Sequence, residues 1–346
     1  MFRKRLRPAI LSLGVAAICI GSFTPASAQD EAAFFKGKTV RIIVGYGPGG
    51  GYDIYARMIA PYLEKEIGST VIVENQPGAG GLNALNRIYI QKPQDGTQMM
   101  LVNGTAAALG QLLEQSNVRY DLTKVGQLGI VSAAPWMWLA GDKSPYKTPA
   151  EAMKMTQPIR WGGAGLTDGL SDGASITCEA LQVKCKIIMG YKGSSDVVLA
   201  LGRGEVDSMY ISDSSSNNYV KSGQAIAMAA MSRQRSRLFP DVPTIYEAVQ
   251  LTKEGEWWID FRAAVDDIGR MLVTSPGLPA ARLQFLQQAV EKALTNPQLI
   301  AEGEKSQRYV DYVDAEKTSK LVAHVITDIT PEQKKQVHDV VLKKYH

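Results

Sequence analysis

Residues 40–57 read VRIIVGYGPGGGYDIYAR, and this stretch decides the fold. An apolar run is followed by five glycines within seven residues, and then by a segment with the periodicity of a helix. A strand that passes through such a loop into a helix leaves free backbone N–H groups at the helix N-terminus, where the helix dipole also favours negative charge. The stretch therefore predicts an α/β unit whose loop binds an anion.

The first 28 residues have the features of a cleavable export signal. An apolar segment, residues 9–20, is too short to span a bilayer comfortably, and residues 26–28 (Ala-Ser-Ala) form a small-x-small cleavage site. The basic residues in front of the apolar segment are Arg3, Lys4, Arg5 and Arg7. We expect cleavage after Ala28, a mature chain beginning at Gln29 and a periplasmic location; an uncleaved membrane anchor is the alternative.

The charge balance changes when this segment is removed. The full chain has 38 Lys and Arg against 34 Asp and Glu, and the signal holds four basic residues and no acid, which leaves 34 of each. A mature chain without net charge has no bias toward nucleic acid or anionic lipid. The remaining chain of roughly 318 residues is long enough for two domains with cores of their own.

Segments with strand and helix patterns alternate along the mature chain, which is typical of an α/β fold with mostly parallel sheets. A helix is predicted from Asp53 to a stop at Gly68, with a kink at Pro61, and Pro279 opens another. The predicted strands are residues 38–44, 70–74, 98–102, 127–131, 159–162, 186–189, 206–211, 225–231 and 271–274.

Proline-containing segments near 133–135 and 144–149 indicate that the chain crosses to a second domain, and the charged segment 250–270 indicates that it returns to the first. The predicted division is therefore a signal peptide at 1–28, one lobe at 29–133 plus 252–346, and a second lobe at 134–251.

Two motifs leave enzymatic alternatives open. Gly45, Gly47 and Gly50 satisfy the glycine pattern of a dinucleotide-binding loop, but Pro48 removes one N–H from the phosphate cradle. Ser171 lies in a Gly-x-Ser-x-Gly pattern typical of esterases, although a loose loop separates it from the nearest predicted strand. A nucleotide-binding enzyme and an exported serine hydrolase are the alternatives to a binding protein.

Histidine and cysteine are too scarce for a transition-metal site, and no cofactor is expected. The histidines are His324, His338 and His346. In the mature chain the cysteines are Cys178 and Cys185. A disulfide between them is possible only if their helix ends near Gln182 and the chain folds back, so a bridge and two free thiols both remain open.

Two further strand-to-helix loops are candidates for ligand contact. Residues 75–81 (NQPGAGG) are interpreted as a tight turn that packs a helix closely on the sheet. In residues 190–194 (GYKGS), Tyr191 offers an aromatic face and a hydroxyl, whereas Lys192 is more typical of a solvated loop lysine.

Several segments together resemble, in order and spacing, the periplasmic solute receptors of the tripartite tricarboxylate transporters, also called the Bug family. The resemblance covers nearly the whole mature chain. The matching segments are residues 34–44 (FFKGKTVRIIV), 47–57 (GPGGGYDIYAR), 71–81 (VIVENQPGAGG), 190–194 (GYKGS), 202–207 (GRGEVD) and 239–244 (FPDVPT).

This resemblance implies a two-domain Venus-flytrap fold that closes on a small carboxylate: a di- or tricarboxylate, an aromatic carboxylate or an amino acid. It also implies a monomeric receptor that delivers the ligand to a two-subunit inner-membrane permease. In this family the carboxylate is held by the loop matching 47–53 and by a loop across the cleft, here 161–173. That second loop departs from the family's Gly-Ser-x-Ser-His pattern, because Asp172 stands near the histidine position.

The ligand-binding residues expected on these grounds come from both halves of the chain. They are Tyr46, Pro48, Gly49, Gly50, Gly51, Tyr52, Asp53, Asn103, Thr105, Thr167, Ser171, Asp172, Tyr191 and Asp213.

Overall fold

The computed structural model describes residues 28–90, 94–133 and 135–346. The predicted signal peptide lies outside these residues, apart from Ala28. Within them, no helix is both long and apolar enough to cross a membrane.

The chain folds into two lobes, each built on a five-stranded sheet. The first sheet has the order β2-β1-β3-β10-β4, and the second has the order β7-β6-β8-β5-β9. The strands are β1 (Thr39–Val44), β2 (Thr70–Asn75), β3 (Gln98–Asn103), β4 (Gly126–Ser132), β5 (Trp136–Ala140), β6 (Ile159–Gly162), β7 (Cys185–Ile188), β8 (Ser208–Ser212), β9 (Ile226–Ala230) and β10 (Arg270–Thr274).

Helices cover both faces of each sheet. Those of the first half of the chain are α1 (Ala28–Phe35), α2 (Gly51–Ile67), α3 (Leu82–Ile90), α4 (Gly104–Leu112), α5 (Pro149–Ala152) and α6 (Gly169–Leu181). Those of the second half are α7 (Ser194–Arg203), α8 (Asp213–Lys221), α9 (Ile245–Ala248), α10 (Lys253–Asp266), α11 (Ala280–Leu294), α12 (Pro297–Lys305), α13 (Ala315–Thr327) and α14 (Pro331–Asp339). A short 3₁₀ turn, Ala79–Gly81, precedes α3, and a π-helical turn, Val340–Lys344, follows α14.

The α/β, mostly parallel arrangement predicted from the sequence is confirmed. In each sheet four strands point the same way and one is reversed: β10 is antiparallel to β3 and β4, and β5 is antiparallel to β8 and β9. These reversed strands are the first strands that the chain forms after it crosses from one lobe to the other. Two successive parallel strands need a crossover connection that returns the chain to the end of the sheet where the first strand began. A chain that arrives from the other lobe makes no such crossover, and it enters the sheet in the opposite direction.

One strand was not predicted. Strand β5 lies between the two proline-rich segments that were interpreted as a crossing, and all five of its residues, WMWLA, are buried. A short apolar run without alternation carries no periodicity that identifies it as a strand. Its burial on both sides explains the pattern, because a central strand of a doubly covered sheet needs apolar side chains on each face.

Helix α2 ends at the predicted stop, Gly68, and begins at Gly51, two residues before the predicted start at Asp53. Gly50 is its N-cap, and Gly68 closes it in the left-handed conformation, with φ of 72°. The helix runs through Pro61 without interruption, so that residue does not end it. Tyr55 and Leu63 pack into the core of the first lobe, which fixes the glycine loop at the end of β1.

Two segments that the predicted ranges place in the first lobe pack on the second. Trp258 and Ile259 of α10 lie in the same apolar cluster as Trp138 of β5. Near the C-terminus, the Tyr345 carbonyl accepts a hydrogen bond from Ile187 N at 2.9 Å. The boundaries 29–133 plus 252–346 and 134–251 therefore stay a prediction.

Candidate functional site

A cavity lies between the lobes, where the strands of both sheets end and helices begin. Among the described residues, five helices present their first residue or their N-cap to it. These lining residues are Gly50 and Gly51 for α2, Asn103 for α4, Asp168 and Gly169 for α6, Ser194 for α7 and Ser212 for α8. Helix N-termini carry partial positive charge and unsatisfied N–H groups, so their convergence favours an anion.

The lobes are closed over this cavity, whose volume is about 30 Å³. Gly47 N donates a hydrogen bond to the Lys192 carbonyl at 2.9 Å, and Ser195 Oγ donates to the Pro48 carbonyl at 3.4 Å. Such a volume has room for about one or two water molecules. A ligand can therefore enter only when the lobes separate.

The glycine loop brings backbone against the opposite lobe. A Cβ atom on Gly51 would lie 2.2 Å from Ser215 Oγ, and one on Gly50 would lie 3.3 Å from Ser194 Oγ. Asp53 supports the loop from below, since its carboxylate accepts hydrogen bonds from Gly49 N at 2.9 Å and Arg57 Nε at 3.0 Å. Burial opposes ionisation of Asp53, but these hydrogen bonds outweigh it and lower the pKa of the carboxyl.

The glycines of the segment 75–81, which was interpreted as a tight turn, lie at residues 78–81 and also contact the other lobe. Gly81 lies against Gly45, as a tight turn requires. A Cβ atom on Gly80, whose φ is +65°, would lie 2.6 Å from Cβ of Asp168, which belongs to the other lobe. Glycine is needed there both for the backbone conformation and for the approach of the lobes.

Aromatic rings form much of the cavity wall. Tyr46 and Tyr52 stack with ring centroids 4.9 Å apart, and Trp136 stacks on Tyr210 at 5.4 Å. Asn103 Nδ2 donates a hydrogen bond to Tyr46 Oη at 3.0 Å. Burial raises the pKa values of the Tyr46 and Tyr52 hydroxyls above their ordinary value, so both remain protonated hydrogen-bond donors at neutral pH.

Arg270 supplies positive charge to the cavity. It is 4% exposed, and Nη2 donates to Ser212 Oγ at 2.6 Å across the lobes, while Nη1 donates to Ser132 Oγ at 3.1 Å. The guanidinium lies over the ring of Tyr55, at 4.4 Å. Within the described part of the chain it forms no ion pair, and its Nε has no hydrogen-bond partner.

Asp168 supplies negative charge to the same cavity. It is the N-cap of α6, where its Oδ1 accepts a hydrogen bond from Ser171 N at 3.0 Å. Burial raises the pKa of the carboxyl to about 6, although the hydrogen bonds from Ser171 lower it. The carboxylate forms no ion pair with any Lys, Arg or His of the described residues.

Asp172 lies beneath the cavity rather than in its wall. Arg262 Nε donates to Asp172 Oδ1 at 2.8 Å, and Arg262 also pairs with Asp266. The three side chains are buried and lie under Trp136, whose ring is 5.1 Å from the Arg262 guanidinium. Burial raises the pKa of Asp266 to about 7 and that of Asp172 well above its ordinary value, against the opposing effect of Arg262.

The predicted site residues therefore fall into three groups. Those that line the cavity are Tyr46, Gly50, Gly51, Tyr52 and Asn103. Those that support the wall or join the lobes are Pro48, Gly49, Asp53 and Thr167, whose hydroxyl accepts from Gln115 Nε2 at 3.0 Å. Those that point elsewhere are Thr105, Ser171, Asp172, Tyr191 and Asp213.

Sequence reasoning missed Asp168, Trp136, Ser194, Ser212, Ser215 and Arg270, all of which line the cavity. Of these residues, Asp168 could have been identified from the sequence. An aspartate directly before the apolar start of a helix is a common N-cap, and this one follows a strand-to-helix loop.

The two cysteines are joined by a disulfide, with Cα atoms 6.3 Å apart. Helix α6 ends at Leu181, and Gln182 turns the chain in the left-handed conformation, with φ of 53°. Cys185 then begins β7 beside the helix end. Neither cysteine lines the cavity, and the bridge ties the end of α6 to the sheet.

Neither enzymatic alternative gains support from its motif residues. Ser171 lies in the first turn of α6, is fully buried, and its Oγ has no partner among the described residues. A dinucleotide-binding enzyme would need an acidic residue after the second strand to bind the ribose, but Glu74, which lies there, faces Arg41 at 3.6 Å on the surface.

Comparisons with known proteins agree with this geometry. The family described as the tripartite tricarboxylate transporter family receptor matches residues 55–332. A UPF0065 protein of Bordetella pertussis is 26% identical over 279 residues, covering 80% of this chain and 82% of its own. A UPF0065 protein from the gbd 5' region of Cupriavidus necator is 30% identical over 255 residues, covering 71% and 72% of the two chains.

Solved structures share the fold. The periplasmic binding protein BugD superposes with a TM-score of 0.73 at 21% identity, covering 87% of this chain and 97% of its own. MatC of Rhodopseudomonas palustris, solved with bound malate, superposes with a TM-score of 0.70 at 21% identity, covering 88% and 98% of the two chains.

Proposed function

The chain belongs to the tripartite tricarboxylate transporter receptor family, and on that basis we propose that it captures a small carboxylate in the periplasm and delivers it to a two-subunit inner-membrane permease. It acts as a monomer, reaches the periplasm through its cleavable signal, and binds neither nucleic acid nor membrane lipid. The malate-bound relative MatC supports the ligand class by similarity of fold alone.

The observation that carries the proposal is Arg270. A buried guanidinium without a carboxylate partner is costly, because the desolvation of its charge is not offset. Here it lines a cavity where five helix N-termini converge, and the partial positive charges of these N-termini favour an anion. A ligand carboxylate offers the bidentate acceptor that a guanidinium prefers.

Closure follows from contacts that a bound carboxylate makes with both lobes. Arg270 and the α2 loop belong to the first lobe, whereas Ser194 and Ser212 belong to the second. A ligand touching both sides binds the closed state more tightly than the open one, and so shifts the population toward it. The closed form is the one that the permease would recognise.

A thermal-shift screen of purified, ligand-stripped protein against mono-, di- and tricarboxylates, aromatic carboxylates and amino acids tests the proposal. At a hundredfold excess over Kd, a ligand adds about 2.7 kcal/mol to stability, which raises Tm by roughly 5–10 °C for lobes of this size. Arg270→Gln should abolish the shift while Arg41→Gln, at a surface ion pair, preserves it. No shift with any compound, or the same shift in Arg270→Gln, would contradict the proposal.

N-terminal sequencing of the exported protein tests its location. We expect the periplasmic form to begin at Gln29, and an intact Met1 terminus in the membrane fraction would refute the predicted cleavage.

A further inference from the structure

The cavity holds two buried charges of opposite sign, and neither has an ionic partner. Arg270 and Asp168 are 4% and 1% exposed, and both line the same cavity. Within the described residues neither forms an ion pair, although buried ions are normally paired. They do not neutralise each other, because no contact within ion-pair distance joins them. The site is therefore built for a partner that brings both missing charges.

Helix capping does not explain the charge of Asp168. Its Oδ1 caps α6 through Ser171 N at 3.0 Å, whereas Oδ2 has only a long contact of 3.4 Å to Ala164 N. An asparagine or serine caps a helix as well as an aspartate does. The carboxylate thus pays a desolvation cost that its structural role does not require, which is typical of a residue kept for a ligand.

We propose that the ligand is an amino-carboxylate, whose carboxylate binds Arg270 and whose ammonium group binds Asp168. The inference rests on the proposed function and narrows its ligand class. Tyr46 and Tyr52 support it, because both line the same cavity as Asp168 and an ammonium group is attracted to aromatic rings as well as to a carboxylate.

The charge around the cavity is consistent with a ligand of no net charge. The ionic side chains in the lining, Arg270 and Asp168, sum to zero. Outside the lining, Arg262 is already paired with two carboxylates. The buried Asp213 and Arg308 both interact electrostatically with Arg270, and their charges are of opposite sign. A dicarboxylate would bring a second negative charge to Asp168, at a cost that the site does not offset.

Calorimetric titration with matched compounds tests this inference. The probes are straight-chain amino acids from glycine to 5-aminopentanoate together with the common α-amino acids, each compared with the same carboxylate lacking the amine and with the dicarboxylate of equal length. We expect one or more amino-carboxylates to bind at least tenfold more tightly than their matched carboxylates. Asp168→Asn, which keeps the cap, should weaken them roughly 10- to 100-fold, the loss of one charged hydrogen bond, and remove the preference.

The possible outcomes separate this inference from the proposed function. If plain carboxylates or dicarboxylates bind as tightly as amino-carboxylates, and Asp168→Asn leaves the affinities unchanged, then the amine subsite does not exist while the carboxylate receptor stands. If Arg270→Gln abolishes binding of all compounds and Asp168→Asn weakens the binding of the amino-carboxylates alone, both are supported. If no carboxylate of any kind binds, the proposed function itself fails.

Discussion

Arg270 and Trp136 hold equivalent positions in the two lobes. Each is the first residue of the strand that runs against the other four in its sheet, and both line the cavity. The parallel strands present their carboxyl ends to the cleft, where open α/β sheets bind ligands. A reversed strand presents its amino end there instead, so each crossing of the chain places a large side chain in the wall.

The first prediction concerns how closely the lobes approach at Gly51. Gly51→Ala should weaken ligand binding at least tenfold, because its Cβ would lie 2.2 Å from Ser215 Oγ in the closed form. The unliganded lobes should remain folded, since alanine is favoured in the first turn of a helix. Calorimetry measures the affinity, and small-angle scattering should show a more open form with the ligand present.

Two variants serve as controls for Gly51→Ala. Gly202→Ala has no atom within 4 Å of the added Cβ and should bind as the parent does. Adding Ser215→Ala to Gly51→Ala removes the clashing oxygen and should restore closure. If Gly51→Ala alone closes and binds normally, the approach of these two residues does not limit closure.

The sequence predicts those parts of the site whose signals are local. The glycine loop and the start of α2 follow from residues 45–53, because turn, cap and helix signals lie within a few positions of each other. Arg270 could not be predicted as a ligand-binding residue, since only the reversed direction of β10 brings its amino end into the cleft. Asp172 turns away from the cavity because Arg262, ninety positions along the chain, pairs with it.

The second prediction concerns the buried ion pairs of Arg262. Arg262→Met leaves Asp172 and Asp266 without a cation and should lower the free energy of unfolding by about 3–5 kcal/mol. Changing both aspartates to asparagine in the Arg262→Met background should recover at least half of this loss, because no buried charge is then left unpaired. Urea unfolding followed by circular dichroism gives the values.

An exposed pair provides the comparison for Arg262. Arg233 contacts Asp260 at 2.7 Å with more than half of its side chain exposed, so Arg233→Met should cost less than about 1 kcal/mol. Equal losses for the two arginine variants would show that burial of the Arg262 network does not determine its contribution.

The third prediction concerns the disulfide between Cys178 and Cys185. Thiol titration of denatured, unreduced protein should detect no free thiol, and two free thiols would refute the bridge. The bridge closes a short loop, for which chain entropy predicts a stabilisation of roughly 2–3 kcal/mol. The double variant Cys178→Ser, Cys185→Ser should lose about this amount in urea unfolding but retain ligand affinity, because neither residue lines the cavity.

The fourth prediction concerns the pH dependence caused by Asp168. Burial raises its pKa to about 6 from an ordinary value of 3.8, so the unfolded chain loses this proton before the folded one does. With respect to this group, the folded protein is most stable below pH 3.8, where the carboxyl is protonated in both the folded and the unfolded chain. As pH rises to 6, the free energy of unfolding falls by about 3 kcal/mol at most. In urea unfolding, Asp168→Asn should therefore gain stability over the parent as pH rises from about 4 to about 6, and hold that gain above pH 6.

Asp53 provides a control of opposite sign. Since hydrogen bonds lower its pKa against the effect of burial, Asp53→Asn should be less stable than the parent at neutral pH, and the difference should vanish in acid. An Asp168→Asn curve parallel to that of the parent across this range would show that this carboxyl titrates normally in the folded protein.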